Sequence, residues 1–248
     1  MTTTTCATDG ADCAALHTAH GTRHASAASA PRHLPEAMPP LIIGIAGGTA
    51  SGKTTLARKV VSLVDASDRI RLLSTDSFYR PLTDDEHRNV AGYNFDEPPA
   101  IDWEWLYRSL QDLIDGRDTI IPQYDFTTHT RSAVQEHVRY ADVIIVEGIL
   151  LFCEERIRDL CDIKVFMTAD DDVRLARRLQ RDIVERGRTV ESVLNQYMKT
   201  VKPSYNRFVL PSMIFADIII PDRGHNGVST NVLLQSVRAR LSHPTDKV

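Results

Sequence analysis

The 248-residue sequence is poor in several features that would assign a chain to a special class. Aromatic residues make up only 6% of it, and its four cysteines form no CxxC pair and accompany no histidines at zinc-ligand spacing. Scattered thiols of this kind are typical of a reducing compartment, so we expect a cytoplasmic protein. No apolar run approaches the roughly 18 residues needed to cross a bilayer, which argues against a membrane protein.

An excess of basic residues is also missing. The chain has 29 Lys and Arg against 33 Asp and Glu, a formal net charge of −4. A nonspecific nucleic-acid binder needs a basic surface that displaces counterions, so we expect no nucleic-acid partner. The remaining composition, 42% hydrophobic and 25% charged, is ordinary for a globular protein with a sizeable core.

Large aliphatic residues are nearly absent from residues 1–40, which are rich in Ala, Thr and His. Such a segment cannot bury enough apolar surface to offset the entropy of ordering it. It also lacks the continuous apolar core of a secretory signal. We therefore expect a disordered N-terminal tail followed by a single domain over residues 41–248.

What the sequence does contain is a regular alternation of short apolar runs with helical patterns. Near-continuous Ile, Val and Leu runs are typical of strands buried on both faces of a parallel sheet. The pattern predicts an α/β fold with a doubly wound five-stranded parallel sheet. Predicted strands cover residues 41–46, 70–74, 143–147, 163–167 and 217–220. Predicted helices cover residues 53–64, 103–114, 171–186, 190–208 and 230–241.

Residues 77–140 break this alternation with the segments NFDEPP, IIPQYDFTTHT and HVRY. They predict a helix and a short antiparallel hairpin inserted between two parallel strands. Insertions at the carboxyl end of a strand commonly bind substrate, so we expect this segment to form the acceptor site.

Residues 47–54 read GGTASGKT and match the phosphate-loop motif GxxxxGK[ST] in full. A predicted strand precedes the motif and an amphipathic helix follows it, which is the context that gives the motif its meaning. Glycines let the backbone curl so that N–H groups point at phosphate oxygens, and the helix N-terminus adds partial positive charge. We expect Lys53 to reach the transferable phosphates and the Thr54 hydroxyl to ligate Mg²⁺. The predicted nucleotide-binding residues are Gly47, Gly48, Thr49, Ala50, Ser51, Gly52, Lys53, Thr54 and Thr55.

Two acidic residues lie where predicted strands end. Asp76 follows the second strand in LLSTDSFY, and Glu147 ends the run VIIVEG. Both strand ends should face the phosphate loop, where a carboxylate can hold Mg²⁺ or accept the proton of an attacking hydroxyl. We assign to Asp76 the role of general base with a share of the metal site, and to Glu147 metal ligation. Each could instead be a turn or helix-cap carboxylate, although the adjacent phosphate loop favours catalysis.

Arginines are concentrated between residues 174 and 190, where we expect a helical lid. Cations that close over a transferred phosphoryl group stabilise its developing charge and exclude water, and Gly187 provides a flexible point near the end of the segment. Most charge runs are solvated helix faces, and we assign Arg174 and Arg177 to such a face. The lid interpretation applies to Arg178, Arg181, Arg186 and Arg188.

Further segments, in their order along the chain, resemble the uridine kinase (uridine–cytidine kinase) family. They are GGTASGKT, STDSFYR, YNFDEP, YDFTTHTR, VIIVEGILLF, RRLQRDIVERGR, NQY, VKP and ADIIIP, and they run from about Leu41 to Leu241. The resemblance implies phosphorylation of the 5′-hydroxyl of uridine or cytidine with ATP and Mg²⁺, giving UMP or CMP. It also implies a homo-oligomer, commonly a tetramer in that family.

The same resemblance implies roles for single residues. Asp76 corresponds to the catalytic base with Tyr79 beside it, and Asp96 corresponds to the carboxylate that grips the ribose hydroxyls. Tyr124 and His129 correspond to residues that meet the pyrimidine ring, although alone they could be a core aromatic and an exposed loop histidine. The remaining matches are Arg178, Arg188 and Gln196 for nucleoside contacts, with Arg181 and Arg186 as the catalytic, phosphate-facing residues of the lid.

Three alternatives remain open at this point. A phosphoribulokinase-like or pantothenate-kinase-like enzyme shares the phosphate loop and the following acid, but the YDF..H segment favours a nucleoside acceptor. A GTPase-type switch needs a guanine-reading NKxD element, which the sequence lacks. An inactive homologue would be expected to have lost one of the catalytic residues. The segment after ADIIIP departs from the family pattern at Asp222 and His225, which leaves the phosphate-donor preference open.

Overall fold

The computed structural model of the protein describes residues 38–125, 128–221 and 227–242. Nearly all of the tail predicted for residues 1–40 lies outside the described residues, as do Asp222 and His225. Residues 38–40 have no regular secondary structure. Within the described part of the chain, no helix is long and apolar enough to span a bilayer.

Two sheets are built from the strands of the described residues. Those strands are β1 (Leu41–Gly47), β2 (Ile70–Ser74), β3 (Thr119–Asp125), β4 (Thr130–Val138), β5 (Val143–Gly148), β6 (Ile163–Thr168) and β7 (Ile218–Pro221). The larger sheet is parallel and has the order β2-β5-β1-β6-β7, whereas β3 and β4 form a separate antiparallel pair. The predicted five-stranded parallel sheet and the inserted hairpin are therefore confirmed.

Helices connect these strands and cover the larger sheet. They are α1 (Lys53–Ser62), α2 (Asp84–Arg88), α3 (Trp103–Ile114), α4 (Glu155–Leu160), α5 (Asp171–Val184), α6 (Val190–Gln196), α7 (Lys202–Ser204) and α8 (Gly227–Ser242). Helix α3 begins where the Asp102 carboxylate accepts a hydrogen bond from the backbone N–H of Trp105. Its leucines at 106, 110 and 113 are fully buried, which is the inner stripe that the helical spacing predicts.

Strand β1 separates two layers of the hydrophobic core. Ile43 and Ile45 pack with residues of α1 and α8 on one face of the sheet. Ile42 and Ala46 pack with residues of α3 and of the turn after β5 on the other face. Alternate residues of a strand point to opposite faces, so a continuous apolar run can serve both layers. Burial of each isoleucine side chain stabilises the fold by about 1.5–3 kcal/mol.

The helix predicted over residues 190–208 is not uniform. It starts as α6, widens into a π-helical turn at Tyr197–Val201, returns to α geometry in α7 and widens again at Tyr205–Val209. Pro203 lies in the middle of this segment and has no N–H to donate within the helix. A proline in a helix interior kinks the helix, and π-helical turns occur frequently at functional sites.

The register of the parallel strands brings three connections to one edge of the sheet. Glu147 on β5 is paired with Ile45 on β1 and with Ser74 on β2. The phosphate loop that follows β1, the turn that carries Asp76 after β2 and the end of β5 therefore meet at this edge.

Candidate active site

The loop between β1 and α1 is closed by hydrogen bonds to one of its own carbonyl groups. The backbone N–H of Ser51 donates to the Gly48 carbonyl oxygen at 3.2 Å, and the Lys53 ammonium donates to the same oxygen at 2.9 Å. Gly47 and Gly52 have φ angles of 140° and 92°, which residues with a side chain rarely adopt. A loop of this shape is what the cradling of phosphate by backbone N–H groups requires.

The Ser51 side chain indicates whether the loop suits a phosphate ligand. Its Oγ is buried and has no hydrogen-bond partner in the described part of the chain. A buried hydroxyl without a partner costs about 1–3 kcal/mol, and a phosphate oxygen would supply the missing partner. The residues present therefore fit a phosphate ligand. Thr55, by contrast, is exposed in the first turn of α1.

Glu147 is held beside the loop by two hydroxyl groups. Thr54 Oγ1 donates to its Oε1 at 2.9 Å and Ser74 Oγ donates to the same atom at 3.1 Å. Burial raises the pKa of Glu147, and the charge of Lys53 opposes that rise. Burial also lowers the pKa of Lys53, opposed by the charges of Glu147 and Asp76. The two buried groups thus stabilise each other's charge.

Asp76 is half-buried in the turn after β2, where its backbone N–H donates to Ser74 Oγ at 3.3 Å. Its charge contributes to the electrostatic environment of Lys53, Glu147 and Asp96. Among the described residues no three His, Cys, Asp or Glu side chains converge. The predicted metal ligands are one hydroxyl and two carboxylates, so a Mg²⁺ ion there would complete its six oxygen ligands from phosphate and water.

Asp96 is 8% exposed and is fixed from two directions. Its backbone N–H donates to Asn94 Oδ1 at 3.0 Å, and its carboxylate contacts the Thr200 hydroxyl. Asn94 donates in turn to Ser204 Oγ at 3.0 Å, on the far side of the first π-helical turn. Burial raises the pKa of Asp96, while the nearby charge of Arg178 opposes the rise.

Four rings pack beside Asp96. Tyr79 lies 5.2 Å from Tyr124 and 5.7 Å from Phe95, measured between ring centroids, and Phe95 stacks on His129 at 5.0 Å. The Nδ1 atom of His129 is buried and has no hydrogen-bond partner within the described residues. Burial lowers the pKa of His129, so its imidazole is neutral near pH 7. Phe95 was not predicted as a site residue, although its position directly before Asp96 in NFDEP was a usable signal.

The arginines of α5 and of the segment after it surround one carboxylate. Asp182 is completely buried and was not among the predicted site residues. Its carboxylate oxygens lie 2.8 Å from Arg181, 3.4 Å from Arg186, and 3.5 Å from both Arg178 and Arg188. The available signal was its spacing, since Arg178 and Arg186 are each four residues away along the chain.

Gln196 and Thr49 connect this arginine cluster to the rest of the site. Arg178 donates to Thr49 Oγ1 of the phosphate loop at 3.0 Å and to Gln196 Oε1 at 2.9 Å. Arg188 donates to the same Gln196 oxygen at 2.6 Å. Arg178, Arg188 and Gln196 thus join the phosphate loop in one hydrogen-bonded group, and the ion pairs to Asp182 connect Arg181 and Arg186 to it.

The assignment of Arg174 to a solvated helix face was wrong. Arg174 is 1% exposed, and it forms one inward stripe of α5 with Arg178 and Asp182 at intervals of four residues. Its guanidinium lies 3.9 Å from the ring centroid of Tyr205. The run of charges reaches more than one face of α5, and the sequence pattern did not indicate which face packs against the phosphate loop. Arg177 is half-buried.

Comparison with known proteins agrees with this geometry. The family described as phosphoribulokinase / uridine kinase matches residues 42–229. A protein named uridine kinase from Lactobacillus johnsonii is 47% identical over 203 residues, which are 82% of this chain and 96% of that protein. Uridine-cytidine kinase B from Dictyostelium discoideum is 45% identical over 203 residues, 82% of this chain and 83% of that protein.

A solved structure shows the same fold at lower identity. Phosphoribulokinase from Rhodobacter spheroides superimposes with a TM-score of 0.57 at 15% identity, over 75% of this chain and 71% of that one. The family match extends from β1 into α8 and includes the phosphate loop and the acids at the sheet edge. This chain belongs to the phosphoribulokinase / uridine kinase family.

Proposed function

We propose that this protein transfers the terminal phosphoryl group of ATP to the 5′-hydroxyl of uridine or cytidine. The observation that carries the proposal is the position of Asp76, whose backbone N–H donates to the Ser74 hydroxyl, which in turn donates to Glu147 beside the phosphate loop. The uridine kinase and the uridine-cytidine kinase B named above are 47% and 45% identical to this chain, which supports the choice of acceptor.

The acceptor would bind against the four rings and Asp96. A pyrimidine offers a π-face to Tyr79, Tyr124 and Phe95 and a hydrogen-bonding edge to His129. A buried carboxylate accepts hydrogen bonds from both hydroxyls of a ribose, and loss of one would leave it poorly satisfied. Asp96 would therefore favour ribonucleosides over deoxyribonucleosides.

In the proposed reaction Asp76 accepts the proton of the 5′-hydroxyl as that oxygen bonds to the transferred phosphorus. The bond from this phosphorus to the bridging oxygen breaks, and ADP leaves. Lys53, Arg181 and Arg186 would stabilise the charge on the phosphoryl oxygens. Thr54, Asp76 and Glu147 would hold Mg²⁺, which supplies further charge neutralisation when bound. Arg178, Arg188 and Gln196 would orient the nucleoside.

The reaction is tested by measuring ADP release from ATP and Mg²⁺ with one acceptor at a time. Uridine, cytidine, deoxyuridine, adenosine, ribulose 5-phosphate and pantothenate cover the alternative kinase acceptors. We expect release with uridine or cytidine and little with deoxyuridine. Release only with a non-nucleoside acceptor would overturn the substrate but keep the kinase fold.

The role of Asp76 is tested by the variant Asp76→Asn, which removes the base and keeps the shape. Turnover should fall by a factor on the order of 10²–10⁴, while ATP binding without acceptor stays near that of the unaltered protein. Near-normal turnover in this variant would contradict the assignment.

A further inference from the structure

Arg174 and Tyr205 lie together next to the phosphate loop, and the proposed reaction gives neither of them a role. The guanidinium of Arg174 stacks 3.9 Å from the centroid of the Tyr205 ring, its Nε donates to the Ala169 carbonyl at 3.1 Å, and Asp171 forms an ion pair with it. With an exposure of 1%, Arg174 is one of the largest fully buried side chains of the protein.

These two side chains touch the phosphate loop at Gly48. A Cβ atom built on Gly48 would lie 2.4 Å from Arg174 Nη1 and 2.9 Å from Tyr205 Cε2, closer than real Cβ contacts come. The second position of GGTASGKT is therefore restricted to glycine by its neighbours. Arg174 and Tyr205 form a support against which this part of the loop packs.

The support also carries net positive charge. Asp171 forms an ion pair with Lys202 as well as with Arg174, so one carboxylate is shared between two cations. Lys202 lies 5.9 Å from the centroid of the same Tyr205 ring. The field of this charge extends to Lys53, whose pKa is lowered first by burial and to a lesser degree by Arg174.

A neutral side chain such as methionine could fill the volume of Arg174 without the cost of desolvating a charge. An arginine at this position is explained if its charge acts on an anion bound in front of the loop. We propose that Arg174, oriented by Tyr205, is a positioning residue for the phosphate donor. It fixes the Gly48 segment of the loop and adds positive potential behind it. The identity of the donor as a nucleoside triphosphate rests on the proposed function.

The test is calorimetric titration of Mg²⁺ and ATP into the protein without any acceptor, which gives the Kd and the stoichiometry separately. In Arg174→Met we expect a Kd about tenfold higher or more at unchanged stoichiometry. Arg174→Lys keeps the charge but loses the planar stack, so its Kd should lie between those of the unaltered protein and Arg174→Met. The matched control is Arg177→Met, which removes the same charge from the same helix and should stay within about threefold of the unaltered protein.

Tyr205 provides a second pair of variants should Arg174→Met not fold. Tyr205→Leu removes the ring that orients the guanidinium and should raise the Kd for ATP, whereas Tyr205→Phe keeps the ring and should not. An unchanged Kd for ATP in Arg174→Met and Tyr205→Leu would overturn the proposal. A rise in the Kd of Arg177→Met as large as that of Arg174→Met would also overturn it. Lower stoichiometry and melting temperature at constant Kd would mean a purely structural role. The titration measures ATP binding without any acceptor. Its result can therefore be interpreted even if the protein does not phosphorylate uridine.

Discussion

Replacement of Asp182 should cause a large loss of stability. The variant Asp182→Asn keeps the shape of the side chain but leaves four guanidinium groups around a neutral amide. Three of them, on Arg181, Arg186 and Arg188, have side chains 31%, 34% and 27% exposed and can turn toward solvent. The fourth, on Arg178, is only 8% exposed and must remain buried beside the lost charge.

The expected loss follows from that single buried cation. Removal of one partner of a buried ion pair costs about 3–5 kcal/mol, and the relaxation of three of the four arginines places the value near the lower end, at about 3 kcal/mol. Urea unfolding at pH 7 would measure it. The matched control is Glu185→Gln, which removes the same charge. Glu185 is exposed and lies at the C-terminal end of the same helix.

We expect the control to change the free energy of unfolding by no more than about 0.5 kcal/mol. A loss in Asp182→Asn as small as that of the control would refute the view that Asp182 holds the arginine cluster together. If both variants lost the same large amount of unfolding free energy, the cause would be the overall charge of the helix and not the contacts of Asp182.

Three further predictions concern the acceptor pocket and the loop. Asp96→Asn should raise the free energy of unfolding at pH 7, because burial raises the pKa of Asp96 in the folded state and so disfavours the ionised form. The stability that protonated Asp96 contributes is present below about pH 4 and is lost as the pH rises through the folded pKa. The gain in the variant should therefore vanish in acid, and a gain that persists there would contradict this cause. Phe95→Ala should raise the KM for uridine about tenfold and leave the KM for ATP unchanged, since three ring contacts are lost, those with Tyr79, Tyr93 and His129; equal rises in both constants would argue against a nucleoside contact. Gly48→Ala should raise the Kd for ATP by a larger factor in the unaltered protein than in a protein that already carries Arg174→Ala, because the shorter side chain makes room for the added methyl group. Strictly additive losses in calorimetric titrations would contradict that packing.

Much of the fold could be predicted because its signals are local. The apolar runs at β1, β2 and β5 gave the strand positions to within one residue, and the phosphate-loop motif lay between a strand and a helix as expected. Parallel strands place their carboxyl ends at one edge, so the meeting of Lys53, Asp76 and Glu147 also followed from topology.

The limits of prediction are clearest in α5. An amphipathic helix reveals its inner face through its apolar residues, but the inner stripe of α5 consists of Arg174, Arg178 and Asp182. No periodicity distinguishes such a stripe from a solvated face, which is why Arg174 was assigned wrongly and Asp182 was overlooked. Likewise, the stacking of Phe95 on His129 joins residues from separate loops, and the path of those loops depends on the packed core.

The amino-acid sequence by itself therefore determined the order of strands and helices, the phosphate loop and the family. Each of these can be recognised from short motifs and periodic patterns. The tertiary structure alone decided which charged residues are buried and which side chains support Gly48. Those outcomes depend on the free energy of pairing and desolvating charges between segments far apart in the chain, a quantity that no local pattern records.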